Sequence, residues 1–177
     1  MKTVTIEQVK AAIRDVPDFP KEGILFKDIT TALKQPDLFA FIVDYFYELY
    51  KNAGITKVAC IESRGFIIGG ALAYRLNAGF VPIRKPGKLP SDTYSVEYEL
   101  EYGTDKLEVH KDAFNNDDIV LIHDDLLATG GTATASYDLV SMFSVKEVHF
   151  SFLCQLGFLQ AAPKLSSLAP LHSMFEF

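Results

Sequence analysis

The sequence predicts an α/β fold with a doubly wound, mostly parallel sheet. Two observations favour it. Short, nearly continuous apolar runs alternate with helical segments from residue 57 onward. Strands buried on both faces of a parallel sheet need such runs. One of the runs leads through a loop with paired glycines straight into a helix. With 177 residues, 49% of them hydrophobic, the chain reads as a single domain spanning residues 1–177.

The first third of the chain predicts two helices with an ordered loop between them. Thr5 and Gln8 have capping-box spacing at the start of a helix over residues 5–14. The following stretch, "DVPDFPKEGILFKDIT", carries prolines and glycines among apolar residues and predicts a loop. Apolar residues at helical spacing then predict a helix over 37–54, with Gly54 as its stop.

The core elements follow in alternation. The predicted strands are "KVACIES", "GFVPIR", "DIVLIHD" and "KEVHFSFLCQL", and the predicted helices are "IIGGALAYRLN" and "ATASYDLVSMF". The stretch "YSVEYELEY" alternates strictly, which indicates one wet face, and with "LEVHK" it predicts an antiparallel hairpin. The tail "APLHSMFEF" predicts a final edge strand.

Two adjacent aspartates and a glycine-rich loop mark the predicted ligand site. Asp124 and Asp125 follow the apolar run, and "ATGGT" leads into the helix. Ligands of open parallel sheets bind beyond the carboxyl ends of the strands. Glycines and a helix N-terminus form a nest of backbone N–H groups for phosphate, and Thr129 and Thr132 add hydroxyls. We therefore expect a phosphate monoester in the loop and a polyol or hydrated cation at the aspartates. The alternative is a capped helix with solvated aspartates.

Two further segments carry cations suited to anions. In "ESRGF", Arg64 offers a planar fork of donors, although a surface arginine at a helix start has the same pattern. In "RKPGKLP", Arg84, Lys85 and Lys88 form a local attractor for anions, and a solvated basic loop is the alternative. The ending Gly-Lys-Ser/Thr is missing from the glycine-rich loop, which excludes an ordinary nucleotide P-loop.

The remaining candidates are aromatic or acidic. In "ILFK", exposed backbone beside Phe26 suits a purine that stacks on the ring, although these residues by themselves favour a loop anchored in the core. Glu101 and Tyr102 end the alternating run, where a solvated glutamate and a half-buried tyrosine would be ordinary strand residues.

Composition excludes several classes of protein. The net charge of -6 argues against a general nucleic-acid surface. The N-terminus lacks the apolar core of a signal peptide, and no apolar stretch reaches the roughly 20 residues of a membrane helix. Cys60 and Cys154 lie in apolar runs and read as core residues of a reducing compartment. These features predict a soluble cytoplasmic protein.

Five segments together resemble a known family. "DDLLATGGT" resembles the phosphoribosyl-pyrophosphate motif of type I phosphoribosyltransferases, and "LLATGGT" is most similar to the members that act on adenine. The segments "VPDFPKEGILFKDIT", "ESRGFIIG", "PIRKPGKLP" and "YELEYGTDKLEVHKDA" resemble that family in the same order, from about Val16 to Leu153.

The resemblance implies a function and a set of site residues. The reaction would join adenine and phosphoribosyl pyrophosphate (PRPP) to give AMP and pyrophosphate, with Mg²⁺ held mainly by the pyrophosphate. The phosphoribosyl group would be bound by Asp124, Asp125, Ala128, Thr129, Gly130, Gly131 and Thr132. Pyrophosphate would be bound by Ser63, Arg64, Arg84, Lys85 and Lys88. Adenine would be bound by Leu25, Phe26 and Lys27, the first and last through backbone atoms.

The resemblance also implies moving parts and an oligomer. A hood would come from residues 1–35, and residues 90–106 would form a lid. Glu101 would handle the proton of the base, and Tyr102 would close the lid over substrate. A cis peptide between Glu62 and Ser63 is expected, as is a homodimer in which the basic loop reaches across the interface.

Two departures and two rivals remain. His123 replaces the family's usual aliphatic residue, and the segment from "CQLGFLQ" onward matches poorly. The other histidines, His110, His149 and His172, form no metal-binding pattern. One rival is a phosphoribosyltransferase for hypoxanthine, guanine or xanthine. The other is a regulatory protein that senses PRPP and binds DNA or RNA, although no basic face or added binding segment is visible.

Overall fold

The computed structural model describes residues 4–99 and 104–177 of the chain. Its helices are α1 (Ile6–Ala12), α2 (Thr30–Leu33), α3 (Pro36–Tyr50), α4 (Gly65–Leu76), α5 (Gly131–Ser141) and α6 (Ala161–Ser166), with a 3-10 turn at Gly157–Leu159. Its strands are β1 (Arg14–Pro17), β2 (Leu25–Asp28), β3 (Lys57–Ile61), β4 (Gly79–Ile83), β5 (Thr93–Glu99), β6 (Thr104–His110), β7 (Ile119–Leu127), β8 (Glu147–Gln155) and β9 (Leu171–Glu176).

The central sheet confirms the predicted fold class. Its order is β4-β3-β7-β8-β9, and every neighbouring pair is parallel. The tail forms the edge strand β9, as predicted. Chain order reverses between β3 and β7, so the connections from these two strands leave in opposite directions. Such a switch point opens a crevice beyond the carboxyl ends of the two strands, where ligands of this architecture bind.

Helices cover both faces of the sheet. On one face, Phe46 of α3 and Leu72 of α4 pack with β3 and β7 in one buried cluster. On the other face, Leu139 of α5 and Leu165 of α6 join a second cluster, to which β6 contributes Leu107. Cys60 and Cys154 are buried core residues, as predicted. Among the described helices, none has the length and apolar character needed to cross a membrane.

The predicted loop before Thr30 is wrong in part, because it contains a small hairpin. β1 and β2 pair antiparallel, with Val16 opposite Phe26. The turn-forming residues lie between the strands: Asp18 and Gly23 have φ of 57° and 84°, and the Gly23 amide donates to the Asp18 carboxylate at 2.8 Å. Pro20 and Gly23 lie in that turn and Pro17 ends β1, so β2 contains neither proline nor glycine and is free to form a ladder.

The second hairpin confirms the prediction from strict alternation. β5 and β6 pair antiparallel, with Val96 opposite Leu107. β5 packs against α5, and the backbone of Arg84 exchanges two hydrogen bonds with that of Glu108 on β6, at 2.9 and 2.7 Å. The hairpin is therefore attached both to the second core layer and to the end of β4.

Candidate active site

The junction of β7 and α5 forms an uncapped helix N-terminus. Gly130 is the N-cap of α5 with φ of 84°, and no side chain caps the helix there. The first backbone N–H groups of a helix have no partner within the helix, so they are free to bind an anion. A cavity of ≈ 70 Å³ opens here, lined by Asp124, Leu126, Leu127, Ala128, Thr129, Gly130, Thr132, Ala133 and Phe152. The predicted phosphate loop is thus assembled around a cavity.

The acidic pair lies inside a strand and is divided between two surroundings. β7 continues to Leu127, beyond the end that the sequence predicts. Neighbouring side chains of a strand point to opposite faces. Asp124 lines the cavity of the phosphate loop. The Asp125 side chain is buried, and its Oδ2 lies 2.7 Å from Nε of Arg64. The structure therefore brings Asp124, and not Asp125, to the cavity.

Close packing holds Asp124 in place. Burial raises the pKa of its carboxyl group well above the usual range, and the negative charge of Asp125 raises it further. A side chain at Gly65 would place its Cβ 2.8 Å from Oδ1 of Asp124 and 3.1 Å from the carbonyl oxygen of His123. Only glycine allows the start of α4 to approach β7 this closely.

The segment between β3 and α4 joins three predicted subsites. The peptide between Glu62 and Ser63 is cis, as predicted. Arg64 pairs with Asp125, and its guanidinium carbon lies 4.7 Å from the centre of the Phe26 ring. Residues predicted to bind pyrophosphate, ribose and adenine therefore meet at one arginine side chain.

The basic loop after β4 is held by acidic residues. Glu62 Oε2 accepts hydrogen bonds from Nε of Arg84 at 3.0 Å and from the backbone amide of Lys85 at 2.9 Å. Nζ of Lys85 lies 2.9 Å from Oδ2 of Asp105, and the Lys88 carbonyl accepts from Arg84. Sequence reasoning missed Glu62 and Asp105. Both residues lie within segments that resemble the family, and this location was the only feature of the sequence that could have pointed to them.

β2 presents backbone rather than charge to the cleft. Lys27 is buried, with Nζ 2.7 Å from a carboxylate oxygen of Asp15 and 4.0 Å from the centre of the Phe177 ring. Among the described residues, β1 is the only strand paired with β2, so the other edge of β2 keeps free backbone groups. Leu25 is 49% exposed. This arrangement suits the predicted reading of adenine by backbone atoms.

Glu101 and Tyr102, the predicted catalytic pair, lie outside the described residues, between the end of β5 and the start of β6.

His123 is buried directly behind the site. Its Nδ1 lies 3.1 Å from Oγ of Ser151, and its ring makes an edge contact with Phe46 at 5.5 Å. Burial lowers the pKa of His123 to about 3, so the imidazole is neutral at physiological pH. The predicted neutral histidine is confirmed.

Known proteins match the chain over most of its length. Residues 29–167 match the phosphoribosyl transferase domain family. The adenine phosphoribosyltransferase of Citrifermentans bemidjiense is 56% identical over 160 residues, which cover 90% of this chain and 94% of that protein. The crystal structure of adenine phosphoribosyltransferase from Rhodothermus marinus is 50% identical and superposes with a TM-score of 0.92, covering 97% of this chain and 98% of that one. The Giardia lamblia enzyme complexed with 9-deazaadenine gives a TM-score of 0.95 at 37% identity, with 99% of both chains covered.

Proposed function

The chain belongs to the phosphoribosyltransferase family, and on that premise we propose that it transfers the phosphoribosyl group of PRPP to adenine, giving AMP and pyrophosphate. Relatives that share half or more of its residues over nearly the whole chain carry the name of that activity. This activity is a step of purine salvage.

The contact of Phe26, Arg64 and Asp125 carries the proposal. It brings the strand suited to a purine, the arginine suited to pyrophosphate and the acidic strand suited to ribose into one cleft. A nucleobase and PRPP must lie against each other at the anomeric carbon in order to react. An arrangement that joins the three segments at one arginine provides that proximity.

The reaction needs electrostatic support more than covalent chemistry. A ring nitrogen of adenine displaces pyrophosphate at the anomeric carbon as positive charge develops on the ribose. Asp124 places a carboxylate near that charge, and Arg64, Arg84, Lys85 and Lys88 receive the leaving pyrophosphate. Backbone groups of Ala128–Thr132 anchor the 5′-phosphate. Groups fixed before the reaction stabilise the transition state without a reorganisation cost.

The carboxylate of Asp124 is a suitable ligand for Mg²⁺. Among the described residues, no three His, Cys, Asp or Glu side chains come together to hold a metal ion. Mg²⁺ is commonly held by one or two carboxylates together with substrate phosphates. Asp124, at the edge of the cavity, is the residue suited to assist PRPP in holding it. When bound, the ion neutralises charge on the departing pyrophosphate.

We assign to Glu101 the acceptance of the proton from the base, and to Tyr102 the closing of the lid over substrate. A carboxylate that accepts a proton as attack proceeds contributes more to the transition state than to the ground state. Glu101→Gln should lower kcat by about 10²-fold or more, whereas Tyr102→Phe should be milder. A near-normal kcat with a raised KM in Glu101→Gln would assign the glutamate to lid positioning instead.

The same proposal includes a cytoplasmic homodimer of single-domain subunits, each with a hood from residues 1–35 and a lid from residues 90–106. Exposed apolar side chains on α4 and the edge strand β4, namely Ile67, Tyr74 and Phe80, support an interface there. Tyr74→Glu should shift the sedimentation coefficient of the purified protein to that of a monomer. Dimers that persist at low micromolar concentration would place the interface elsewhere.

A nucleobase panel tests the activity itself. Purified protein is incubated with PRPP and either adenine, hypoxanthine, guanine or xanthine, with Mg²⁺ or with a chelator. We expect AMP to form with adenine and Mg²⁺, and much slower turnover of the other bases. Equal or better turnover of hypoxanthine would overturn the assignment of the base. PRPP binding without turnover of any base would favour a regulatory sensor.

A further inference from the structure

The ion pair between Lys85 and Asp105 connects the basic loop to the hairpin. Nζ of Lys85 lies 2.9 Å from Oδ2 of Asp105. The hydrogen bond from Lys85 lowers the pKa of Asp105, and the same bond raises the pKa of Lys85. The pair is charged at neutral pH. Lys85 is also one of the cations that we assign to pyrophosphate.

Asp105 has a second contact that leads to the phosphate loop. The hydroxyl of Tyr98 on β5 lies 3.5 Å from Oδ2 of Asp105 and interacts with the side chain of Thr132. Asp105 therefore lies between the cation of the basic loop and the start of α5. A carboxylate in that position repels an incoming pyrophosphate group and holds the nearest ammonium group.

We propose that Asp105 is a positioning residue that limits the affinity of the chain for pyrophosphate by holding Lys85. The inference rests on the proposed function, since it takes Lys85 as a pyrophosphate ligand. An ammonium group has no fixed fork and can change partners by rotating its flexible stem. When pyrophosphate binds, Lys85 must leave Asp105, and when pyrophosphate departs, Asp105 takes Lys85 back. Competition of this kind weakens product binding and favours product release.

The size of the effect follows from the exposure of the pair. The Lys85 side chain is 56% exposed and that of Asp105 is 22% exposed, so solvent screens their attraction. Partly exposed pairs of this kind are typically worth a factor of about two to five in an equilibrium constant. We expect Asp105→Asn to tighten the binding of inorganic pyrophosphate by about two- to fivefold, without a change in the KM for adenine.

Titration calorimetry with inorganic pyrophosphate and Mg²⁺ tests the proposal by comparing the unmodified chain with Asp105→Asn, Lys85→Met, the double variant, Asp105→Glu and Glu97→Gln. Glu97 belongs to the same hairpin and pairs with Lys106 at 3.5 Å, so its variant removes the same charge without freeing Lys85. Tighter binding in Asp105→Asn, unchanged binding in Glu97→Gln and no further gain from Asp105→Asn in the Lys85→Met background would support competition for Lys85. Asp105→Glu should restore the affinity of the unmodified chain.

The outcomes separate the two proposals. If Lys85→Met leaves pyrophosphate affinity unchanged, Lys85 is not a ligand, and the assignment of the basic loop fails. If Lys85→Met weakens binding while Asp105→Asn has no effect or also weakens it, the loop assignment stands and the competition by Asp105 is overturned. Equal tightening by Glu97→Gln would reduce the effect to general charge and would also overturn the inference.

Discussion

The two regions of the cleft that we propose to bind anions are built in different ways. The loop over residues 128–132 carries no charged side chain, and its donors are backbone groups at an uncapped helix start together with the hydroxyls of Thr129 and Thr132. The opposite wall is made of cations, and each of Arg64, Arg84 and Lys85 pairs with a carboxylate of the chain. The first region is ready for its anion, whereas the second must exchange an internal partner for the ligand.

The difference suits the two ends of PRPP. The 5′-phosphate stays on the product, so a fixed nest of backbone groups can hold it throughout the reaction. Pyrophosphate must bind and then leave, so its cations gain from having acidic partners to return to. The acidic partners also reduce the repulsion among the arginines and lysines of this wall, so the cations can lie close together in a chain whose net charge is -6.

Removal of one cation tests the charged wall and should have the largest effect. Arg64→Met removes a cation that we propose to bind pyrophosphate and leaves the buried Asp125 without its ion-pair partner. Hydrogen bonds to charged groups are worth about 1.5–3 kcal/mol, so we expect PRPP to bind about 10- to 100-fold more weakly. Arg75→Met is the matched control, since Arg75 lies near the end of α4, the helix that Arg64 precedes, and pairs with Asp44 on the exposed surface. Calorimetric titration with PRPP should show no change for the control, and equal losses would contradict the role of Arg64.

A change in backbone geometry tests the neutral loop. Gly130→Ala forces a side chain into a left-handed conformation and places its Cβ 3.1 Å from that of Ala161. The conformation alone costs roughly 1–2 kcal/mol, and displacement of the N–H groups should raise the KM for PRPP about five- to thirtyfold. Gly70→Ala, inside α4 with nothing within 4 Å of the added Cβ, should leave KM unchanged and raise the melting temperature slightly. A normal KM in Gly130→Ala would show that the loop does not depend on this geometry.

Asp124 lies between the two regions, and the change in folding stability that we expect from its replacement is the smallest of the three effects. Its folded-state pKa is raised, so the protonated form contributes stability that is present below its unfolded pKa near 4 and is lost as pH rises through the folded value. Asp124→Asn should therefore be more stable than the unmodified chain at pH 7, and this gain should vanish toward pH 4. Urea unfolding from pH 4.5 to 8 measures the gap. A gain that does not depend on pH would show that Asp124 ionises freely in the folded chain.

The sequence predicted the secondary-structure elements and the location of the subsites better than it predicted which side chains pair with one another. The apolar runs sufficed for the strands of the central sheet, because burial on both faces leaves a strong local signal. The β1–β2 hairpin was not predicted, because the prolines and glycines of this stretch indicated a loop and the two strands are short. The pairs Arg64–Asp125 and Lys85–Asp105 join segments far apart in the chain, and only the topology of the sheet brings them together. The division of the aspartate pair between two surroundings was missed because the predicted strand ended at Asp124, whereas β7 continues to Leu127 and its side chains alternate between the two faces.

The neutral His123 ties folding to the exchange of protons with the solvent. In the unfolded chain an imidazole with a pKa of 6.5 binds about 0.8 of a proton at pH 6, whereas the folded ring, with a pKa of about 3, binds almost none. Each molecule that folds at this pH therefore releases most of a proton from one side chain. The heat of unfolding near pH 6 should then differ between buffers in proportion to their ionisation enthalpies, and His123→Leu should remove that part of the difference. A single side chain behind the acidic strand thus makes the yield of folded protein respond to the proton activity around it.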